Sequence, residues 1–268
     1  MILVDKIKIF FYKRVLKNFL FSSRLARRSI LGLSDSGITF DYIYVGNSFG
    51  YKPLGKIVDS IILALPSVKA VQTRKDFFKN VLISEIKENK QNNIKTRIID
   101  LASGPARYLV EAITHDNKDS VEVLCFDIDK RSLNYGKKIS NGKPMRYAKA
   151  DVFNLSLYKK LSKKVEWIPN IIIASGLYNF VDRNTFHLSL KEVYDNLSQK
   201  GLFVFDNLIS NPNKKLLENI AINRQNKPLV FFYRQPEEIK AMLCKIGFKC
   251  IKVNVDKRNI FAIYSGRK

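Results

Sequence analysis

From residue 94 onward, short apolar runs alternate with helical stretches, and this rhythm limits the possible folds more than any other feature. The runs lie at 97–101, 121–127, 145–149, 170–175 and 201–206. Apolar strands separated by helices are typical of βαβ units, in which helices cover both faces of a parallel sheet. The sequence therefore predicts an α/β domain over residues 94–268, preceded by a separate region over residues 1–93.

The end of the chain departs from this rhythm. A helix is predicted over 236–246, because it opens with Pro-Glu-Glu and Gly247 follows it. Two strand-like runs, 248–255 and 259–265, come next with only a short polar connection between them. So short a connection fits an antiparallel hairpin, since parallel strands need a long crossover. We expect a mostly parallel sheet with one reversed strand.

Residues 1–93 have helical patterning, and we expect a mainly helical cap. Helices are predicted over 56–65 and 68–90, while 40–45 looks strand-like. The start of the chain, 1–33, mixes apolar residues with Lys and Arg and reads as one basic amphipathic helix. Its residues 1–31 have two open roles, docking on the protein body or peripheral contact with an anionic inner-membrane surface.

Composition leaves the partner open. The formal net charge is +23, which fits either RNA as a polyanionic partner or a compositional bias with lysines scattered along the chain. The three cysteines have no paired-ligand spacing and there are two histidines, so we expect no metal site. Apolar runs too short to span a bilayer and core-like cysteines predict a cytoplasmic protein.

The turn after the first predicted strand is the main candidate site. Asp100 ends the strand, small residues including Ala102 and Gly104 form the turn, and a helix begins at Pro105. In open α/β sheets this edge binds ligands, and Gly104 lets the backbone approach one closely. An ordinary tight turn would look similar, so this motif alone is a weak signal.

Acidic residues at the ends of the next two strands strengthen the case. Asp127 ends the second strand, where a carboxylate can accept both hydroxyls of a ribose. Asp129 is interpreted as a helix N-cap. Asp151 follows the third strand and either accepts from an adenine amine or caps a turn. A pyrophosphate would require more glycines than Gly104 alone, so a nucleoside without phosphates fits better than NAD.

These motifs resemble those of class I S-adenosylmethionine-dependent methyltransferases. The segment Asp100-Leu101-Ala102-Ser103-Gly104-Pro105-Ala106 is similar to the family's first motif, with Ala102 and Ala106 at two of its three glycine positions. Shorter segments, including 41–44, 54–59 and 175–178, resemble a bacterial methyltransferase subgroup of unassigned substrate. The resemblance implies a Rossmann-like, seven-stranded, mostly parallel sheet with S-adenosylmethionine as cofactor.

The resemblance also implies roles for single residues. We expect methyl transfer, with a small molecule as the favoured acceptor and RNA as the alternative. Ser175, Tyr178 and Asn179 would lie near the methyl group, where Tyr178 and Asn179 are catalytic candidates with packing and helix capping as their structural alternatives. The expected cofactor-binding residues are Asp100, Ala102, Gly104, Asp127, Ile128, Asp151, Val152 and Ser175, and those expected to reach the substrate from the cap are Tyr42, Tyr44 and Arg74.

Two rival functions follow from the same sequence. The segment Gly46-Asn47-Ser48-Phe49-Gly50 matches the G-x-S-x-G nucleophile elbow of serine hydrolases, although no α/β sheet is predicted before it. The altered glycine turn would also suit a domain that keeps the fold without turnover, and that domain would serve as a scaffold on RNA or membrane.

Overall fold

The computed structural model describes residues 17–154, 167–212, 214, 222–223 and 227–268, and the side chains from residue 20 onward. Helices and strands are numbered below over these residues. The expected membrane or docking role of 1–31 falls largely outside them. The described part forms two compact units, one reaching Gln72 and including 212–229, and the other holding 73–211 and 230–268.

The first unit contains four short helices and the start of a long one. These are α1 (Lys17–Ser22), α2 (Arg24–Ile30), α3 (Gly37–Val45), α4 (Lys52–Ala64) and α5 (Pro66–Gln91). The predicted boundary at residue 93 differs from the observed division, which places 73–93 in the second unit. The physical reason is packing, because Phe78 of α5 is buried and its ring centroid lies 5.6 Å from that of Tyr108 in the second unit.

Two expectations for this region were wrong. The predicted single helix is interrupted at Ser23, whose Oγ accepts a hydrogen bond from the Ala26 N–H and so caps a new helix, α2. The strand-like run 40–45 is helical and forms most of α3. Gly46 ends α3 in the left-handed conformation, and tertiary packing outweighs the strand preference of the Tyr and Ile residues.

A buried carboxylate, Asp59 of α4, holds the first unit together. Its Oδ1 accepts hydrogen bonds from the Ser23 hydroxyl at 2.6 Å and from the Leu25 N–H at 3.1 Å. Its Oδ2 accepts from the Tyr42 hydroxyl at 2.5 Å and from the Phe49 N–H at 3.2 Å. One side chain thus joins the start of α2, the middle of α3 and the loop before α4.

The second unit is built on a seven-stranded sheet. Its strands are β1 (Thr96–Leu101), β2 (Val121–Asp127), β3 (Met145–Lys149), β4 (Ile171–Ala174), β5 (Leu202–Leu208), β6 (Lys249–Val255) and β7 (Phe261–Arg267). The order across the sheet is β3-β2-β1-β4-β5-β7-β6. Neighbours from β3 to β5 are parallel, and β7 is antiparallel to both β5 and β6. The predicted reversed strand is confirmed.

The connecting helices are α6 (Arg107–Ala112), α7 (Lys130–Ile139), α8 (Arg183–Asn196) and α9 (Pro236–Ile246), with 3-10 turns at Lys118–Ser120 and Tyr178–Phe180. The interior strands β1, β2, β4 and β5 are mostly buried, as is expected of parallel strands covered on both faces. Gly247 ends α9 in the left-handed conformation, as the sequence indicates.

The strand order reverses at β1, which lies between β2 and β4. Asp100 of β1 is in register with Cys125 of β2 on one side and with Ile173 of β4 on the other. The carboxyl ends of these three strands therefore meet at one edge of the sheet. In open α/β sheets such a switch point leaves a crevice for a ligand.

The turn between β1 and α6 adopts a conformation that ordinary residues avoid. Ala102, Gly104 and Ala106 have φ angles of 54°, 55° and 57°, all in the left-handed region. For a residue with a side chain this conformation costs about 1–2 kcal/mol. The geometry that glycine accommodates without strain is thus imposed on two alanines, and the surrounding structure must stabilise it.

Substitution Asp59→Ala is expected to destabilise the protein by about 3 kcal/mol or more, because it leaves the Ser23 and Tyr42 hydroxyls and the Leu25 N–H without this acceptor, while the Phe49 N–H keeps the Tyr42 hydroxyl at 2.6 Å. Urea unfolding followed by circular dichroism measures this. The neighbouring Ser60→Ala, at an exposed position, is the matched control and should change stability by no more than about 0.5 kcal/mol. Equal effects of the two variants would contradict the anchoring role.

Substitution Ala102→Gly should leave the free energy of unfolding unchanged or raise it by up to about 1 kcal/mol, because relief of left-handed strain offsets the entropy of a new glycine. The control is Ala64→Gly, at an exposed position in α4, which should lower stability by about 1 kcal/mol. Denaturant titration compares them, and a loss at Ala102 as large as that at Ala64 would refute the strain.

Candidate functional site

Asp100 lies at the carboxyl end of β1 and is fully buried. The Tyr108 hydroxyl, on the first turn of α6, donates to the carboxylate and lies 2.7 Å from both of its oxygens. Burial raises the pKa of Asp100 well above its ordinary value, the Tyr108 hydrogen bond opposes this, and the nearby Asp127 adds to it. The site thus keeps a carboxyl group away from water beside a second one.

Asp127 lies at the end of β2 and joins the two strands. Its Oδ2 accepts from the Gly104 N–H at 2.7 Å, and its Oδ1 accepts from the Asp129 N–H at 2.7 Å. The Ser103 N–H donates to the Phe126 carbonyl at 2.9 Å, so the turn after β1 is tied to β2 at two points. Both oxygens of Asp127 thus accept hydrogen bonds from backbone N–H groups at this edge of the sheet.

The residues after β2 and β3 have different surroundings. Asp129 is the N-cap of α7, with Oδ1 accepting from the Arg131 N–H at 3.0 Å, as the sequence predicts. Ile128 is 57% exposed, which is unusual for isoleucine next to a buried strand. Asp151 is exposed, and its Oδ1 accepts from the Phe153 N–H at 3.0 Å in a turn. The Val152 side chain is buried.

A second carboxylate organises the ends of β4 and β5. Asp206 is fully buried, and its Oδ1 accepts from the Gly176 N–H at 2.7 Å. Its Oδ2 forms a salt bridge with Arg74 Nη1 at 3.0 Å and accepts from Asn179 Nδ2 at 3.4 Å. The two charges compensate one another inside the protein, where an unpaired charge would be costly.

The segment after β4 is fixed by further hydrogen bonds. Asn179 Oδ1 accepts from the Leu208 N–H at 2.8 Å. Arg234 donates from Nη1 to the Tyr178 carbonyl at 3.0 Å and to Asn207 Oδ1 at 2.8 Å, and from Nη2 to the Val181 carbonyl. The backbone that follows the middle of the sheet is therefore held in one conformation from several sides.

The catalytic candidates from the sequence lie within this support. Tyr178 is fully buried, its hydroxyl is 2.9 Å from Ser189 Oγ, and burial raises its pKa further above the ordinary tyrosine value. Both ends of the Asn179 amide are bonded to the β5 end. These surroundings favour structural roles for both residues over contact with an acceptor. Ser175, directly after β4, is half-buried.

The residues expected to reach a substrate are also engaged elsewhere. Arg74 is 2% exposed, and its guanidinium packs closely against Gly176. A Cβ added at Gly176 would lie 3.2 Å from both terminal nitrogens of Arg74. The Tyr42 hydroxyl donates to Asp59, and its pKa is raised by burial and by that carboxylate. Tyr44 is half-buried on α3. Tyr42 and Tyr44 lie in the first unit, and Arg74 lies in the second.

Sequence reasoning missed three residues of this edge. Asp206 ends the predicted apolar run 201–206 as Asp127 ends the run 121–127, and the same rule could have found it. Tyr108 follows Asp100 by eight positions across the turn from β1 to α6, which is a weak signal. Arg234 is far from its partners in the sequence, and no local pattern indicates that a basic side chain there is 5% exposed.

The G-x-S-x-G segment does not form a nucleophile elbow. It follows helix α3 and not a strand, and the Ser48 hydroxyl donates to the Lys56 carbonyl at 2.6 Å. The elbow requires a strand before the serine and an open hydroxyl. Among the described residues no group of three or more His, Cys, Asp or Glu side chains is placed to hold a metal ion. None of the described helices has the length and apolar character to cross a membrane.

Two solved structures share the architecture over most of the chain. A possible exported protein from Bordetella parapertussis has a TM-score of 0.69 at 16% identity, covering 94% of this chain and 85% of that one. A protein described as a "putative methyltransferase" from Thermobifida fusca has a TM-score of 0.58 at 16% identity, covering 84% of this chain and 93% of that one. At such identities the likeness shows the fold alone.

Sequence comparison gives evidence on the family as well as on the fold. The uncharacterized protein YnbC of Escherichia coli K12 is 23% identical over 242 residues, covering 87% of this chain and 40% of YnbC, so the chain spans less than half of that relative. A family model described as "Putative methyltransferase" matches residues 6–268. This match includes both compact units, and it agrees with the sheet order and with the acidic strand ends. The chain belongs to this methyltransferase family and has the class I fold.

Proposed function

We propose that the chain transfers a methyl group from S-adenosylmethionine to a small-molecule acceptor. The observation that carries this proposal is the position of Asp127, whose two oxygens face the Gly104 turn and the start of α7 at the switch point of the sheet. A carboxylate there suits the two hydroxyls of a ribose. The family of the chain supplies the reaction class.

The charge of the site supports a cationic ligand. The Asp127 carboxylate is close enough to disfavour the ionised form of Asp100. A diphosphate would add further negative charge beside them, while an ammonium or sulfonium group would reduce their repulsion. S-adenosylmethionine carries an ammonium group and a sulfonium group, and it has no phosphate. The acidic site therefore fits this cofactor better than a dinucleotide, although the chain as a whole is strongly basic.

We assign roles to the strand ends as follows. Asp127 would bind the ribose hydroxyls, and the exposed Ile128 side chain would contact the adenine. Asp151 would accept from the adenine amine, and Val152 would be a further adenine contact. Asp100 would accept from the amino group of the methionine part, while Ala102 and Gly104 would hold the ligand through the backbone of the turn. Ser175, directly after β4, would bind on the side of the methyl group.

When bound, the cofactor supplies a methyl group that is already activated by a sulfonium. The protein then has to orient an acceptor in line with that group and exclude water. Asp206 and Arg234 fix the backbone after β4, and Tyr178 and Asn179 act as positioning residues through that segment. We propose no general base. Acceptor contacts by Tyr42, Tyr44 and Arg74 stay predictions, and RNA stays the alternative acceptor because of the charge of +23.

Substitution Asp127→Ala is expected to weaken S-adenosylmethionine binding at least about tenfold to a hundredfold, because hydrogen bonds to a charged group contribute about 1.5–3 kcal/mol. Isothermal titration calorimetry on the purified chain measures it. Asp129→Ala is the matched control, since it removes a helix cap and should cost about 1 kcal/mol of stability with little effect on affinity.

Binding by Asp127→Ala as tight as that of the wild type would refute the proposed site. Absence of any binding by a folded wild-type chain would favour a scaffold without turnover. If RNA is the acceptor, the affinity for RNA will fall steeply with added salt, whereas a flat salt response would remove that alternative.

Substitution Asp100→Asn is expected to stabilise the chain at neutral pH and yet to weaken cofactor binding. Since the folded pKa of Asp100 lies above the unfolded value, the wild type loses stability as pH rises from the unfolded pKa to the folded one. The variant has no carboxyl group at position 100 that could titrate in this pH range. We expect this advantage to grow as pH rises above the unfolded pKa and to disappear in acid.

Thermal and urea unfolding across a pH series test this, with calorimetry for binding. The control is Asp116→Asn, an exposed carboxylate, which should show no such pH-dependent advantage. A destabilised Asp100→Asn at neutral pH would contradict the argument from burial. Unchanged affinity for S-adenosylmethionine would remove Asp100 from the site.

A further inference from the structure

Helix α4 of the first unit has apolar residues on its outer face. Leu54, Ile57 and Ile61 follow one another at helical spacing and are 46%, 57% and 61% exposed. We call these three residues the α4 stripe. The buried face of the same helix packs Val58 and Leu63 beside Asp59 inside the unit. Exposed apolar side chains in a row on a helix that already has a buried face indicate an interaction surface.

Two aromatic side chains continue the stripe at the start of α4. Tyr51 directly precedes the helix and is 50% exposed, and Phe49 is 45% exposed. Aromatic rings beside an aliphatic surface are typical of proteins that rest in the interface between water and lipid. α4 has 13 residues and is about 20 Å long, and the α4 stripe covers about 10 Å of it.

Basic residues border the stripe. Lys52 and Lys56 are exposed on α4, and Arg24 and Arg27 are exposed on α2. The Arg27 guanidinium lies 5.6 Å from the centroid of the Tyr51 ring, which places this cation beside the apolar surface. The arrangement has cations next to aliphatic and aromatic side chains on one side of the unit.

Acidic residues do not offset these cations. In the part of the first unit that the structure describes, the acidic residues are Asp35, Asp41 and Asp59. Asp41 and Asp59 are 3% and 0% exposed, and Asp35 is half-exposed. The described surface of this unit is therefore strongly positive, and an anionic surface is its electrostatic complement.

We propose that the α4 stripe docks the protein on an anionic lipid bilayer. The stripe inserts among the acyl chains at the interface, Tyr51 and Phe49 lie at headgroup level, and Lys52, Lys56 and Arg27 contact the lipid phosphates. RNA would satisfy the cations and leave the aliphatic side chains in water. The apolar part of this surface lies outside residues 1–31, for which the sequence suggests membrane contact, while Arg27 belongs to that segment. The surface shares no residue with the proposed methyl-transfer site.

Vesicle sedimentation of the full chain tests this proposal. Vesicles of phosphatidylcholine mixed with phosphatidylglycerol should bind the wild type, and vesicles of phosphatidylcholine alone should bind it markedly less. Each basic residue at the surface strengthens association with anionic lipid about fivefold. Ile57→Gln with Ile61→Gln should lower the partition onto mixed vesicles about tenfold or more, because it removes exposed apolar area that lipid would bury.

Leu188→Gln is the matched control, since Leu188 is a helical residue of the second unit with 55% exposure. It should leave the partition unchanged. Circular dichroism and S-adenosylmethionine titration of all variants show that folding and the cofactor site are intact. Lys52→Gln with Lys56→Gln should lower binding about twenty-fivefold and reduce its dependence on salt.

Several outcomes would overturn the proposal. One is equal partition of the wild type and the Ile57/Ile61 variant, and another is an equal loss caused by Leu188→Gln. Self-association that depends on Ile57 and Ile61, without vesicle binding, would assign the stripe to contact between copies. Binding to RNA but not to vesicles would assign the cations to nucleic acid.

Discussion

The hydrogen bond from the Gly104 N–H to Asp127 is the contact on which the ligand edge of the sheet depends. It links the turn after β1 to the end of β2 over 2.7 Å, while the other oxygen of the same carboxylate holds the entry to α7. Without it, the left-handed turn would lose the partner that offsets its strain at Ala102 and Ala106. In the proposed site the same carboxylate oxygens would accept from the ribose hydroxyls, so support of the turn and recognition of the ligand would act through one side chain.

The fold uses this arrangement twice. Asp206 at β5 accepts from Gly176, which follows β4, just as Asp127 at β2 accepts from Gly104, which follows β1. Both glycines have positive φ angles, 74° and 55°. The two carboxylates differ in their surroundings, because Asp206 is fully buried with Arg74 as its counter-ion and Asp127 is 6% exposed. The contact between Asp206 and Gly176 therefore suits a rigid support, and the contact between Asp127 and Gly104 suits the proposed ligand site.

Sequence reasoning succeeded where local patterns and the fold agree. The strand rhythm, the terminal hairpin and the Asp129 cap all depend on neighbouring residues, and all are present. It failed where distant contacts decide. A serine that caps a second helix at residue 23 depends on Asp59, which is 36 positions away from it. The counter-ion of Arg74 also went unpredicted, since it lies 132 positions along the chain. The ligand-side assignments from Asp100 to Ser175 remain predictions, since the geometry fits them without testing them.

The surface of the protein is basic partly because the fold buries several of its carboxylates. Lys and Arg number 47 against 24 Asp and Glu, and Asp41, Asp59, Asp100, Asp127 and Asp206 are all buried. These acids bind backbone N–H groups, hydroxyls and one arginine inside the protein, so they do little to neutralise the surface. The net charge of the chain therefore describes neither the surface of the first unit nor the proposed site. The ligand edge is acidic and suits a cation, while the outer face of the first unit is basic and suits an anion, and a single total of +23 conceals both.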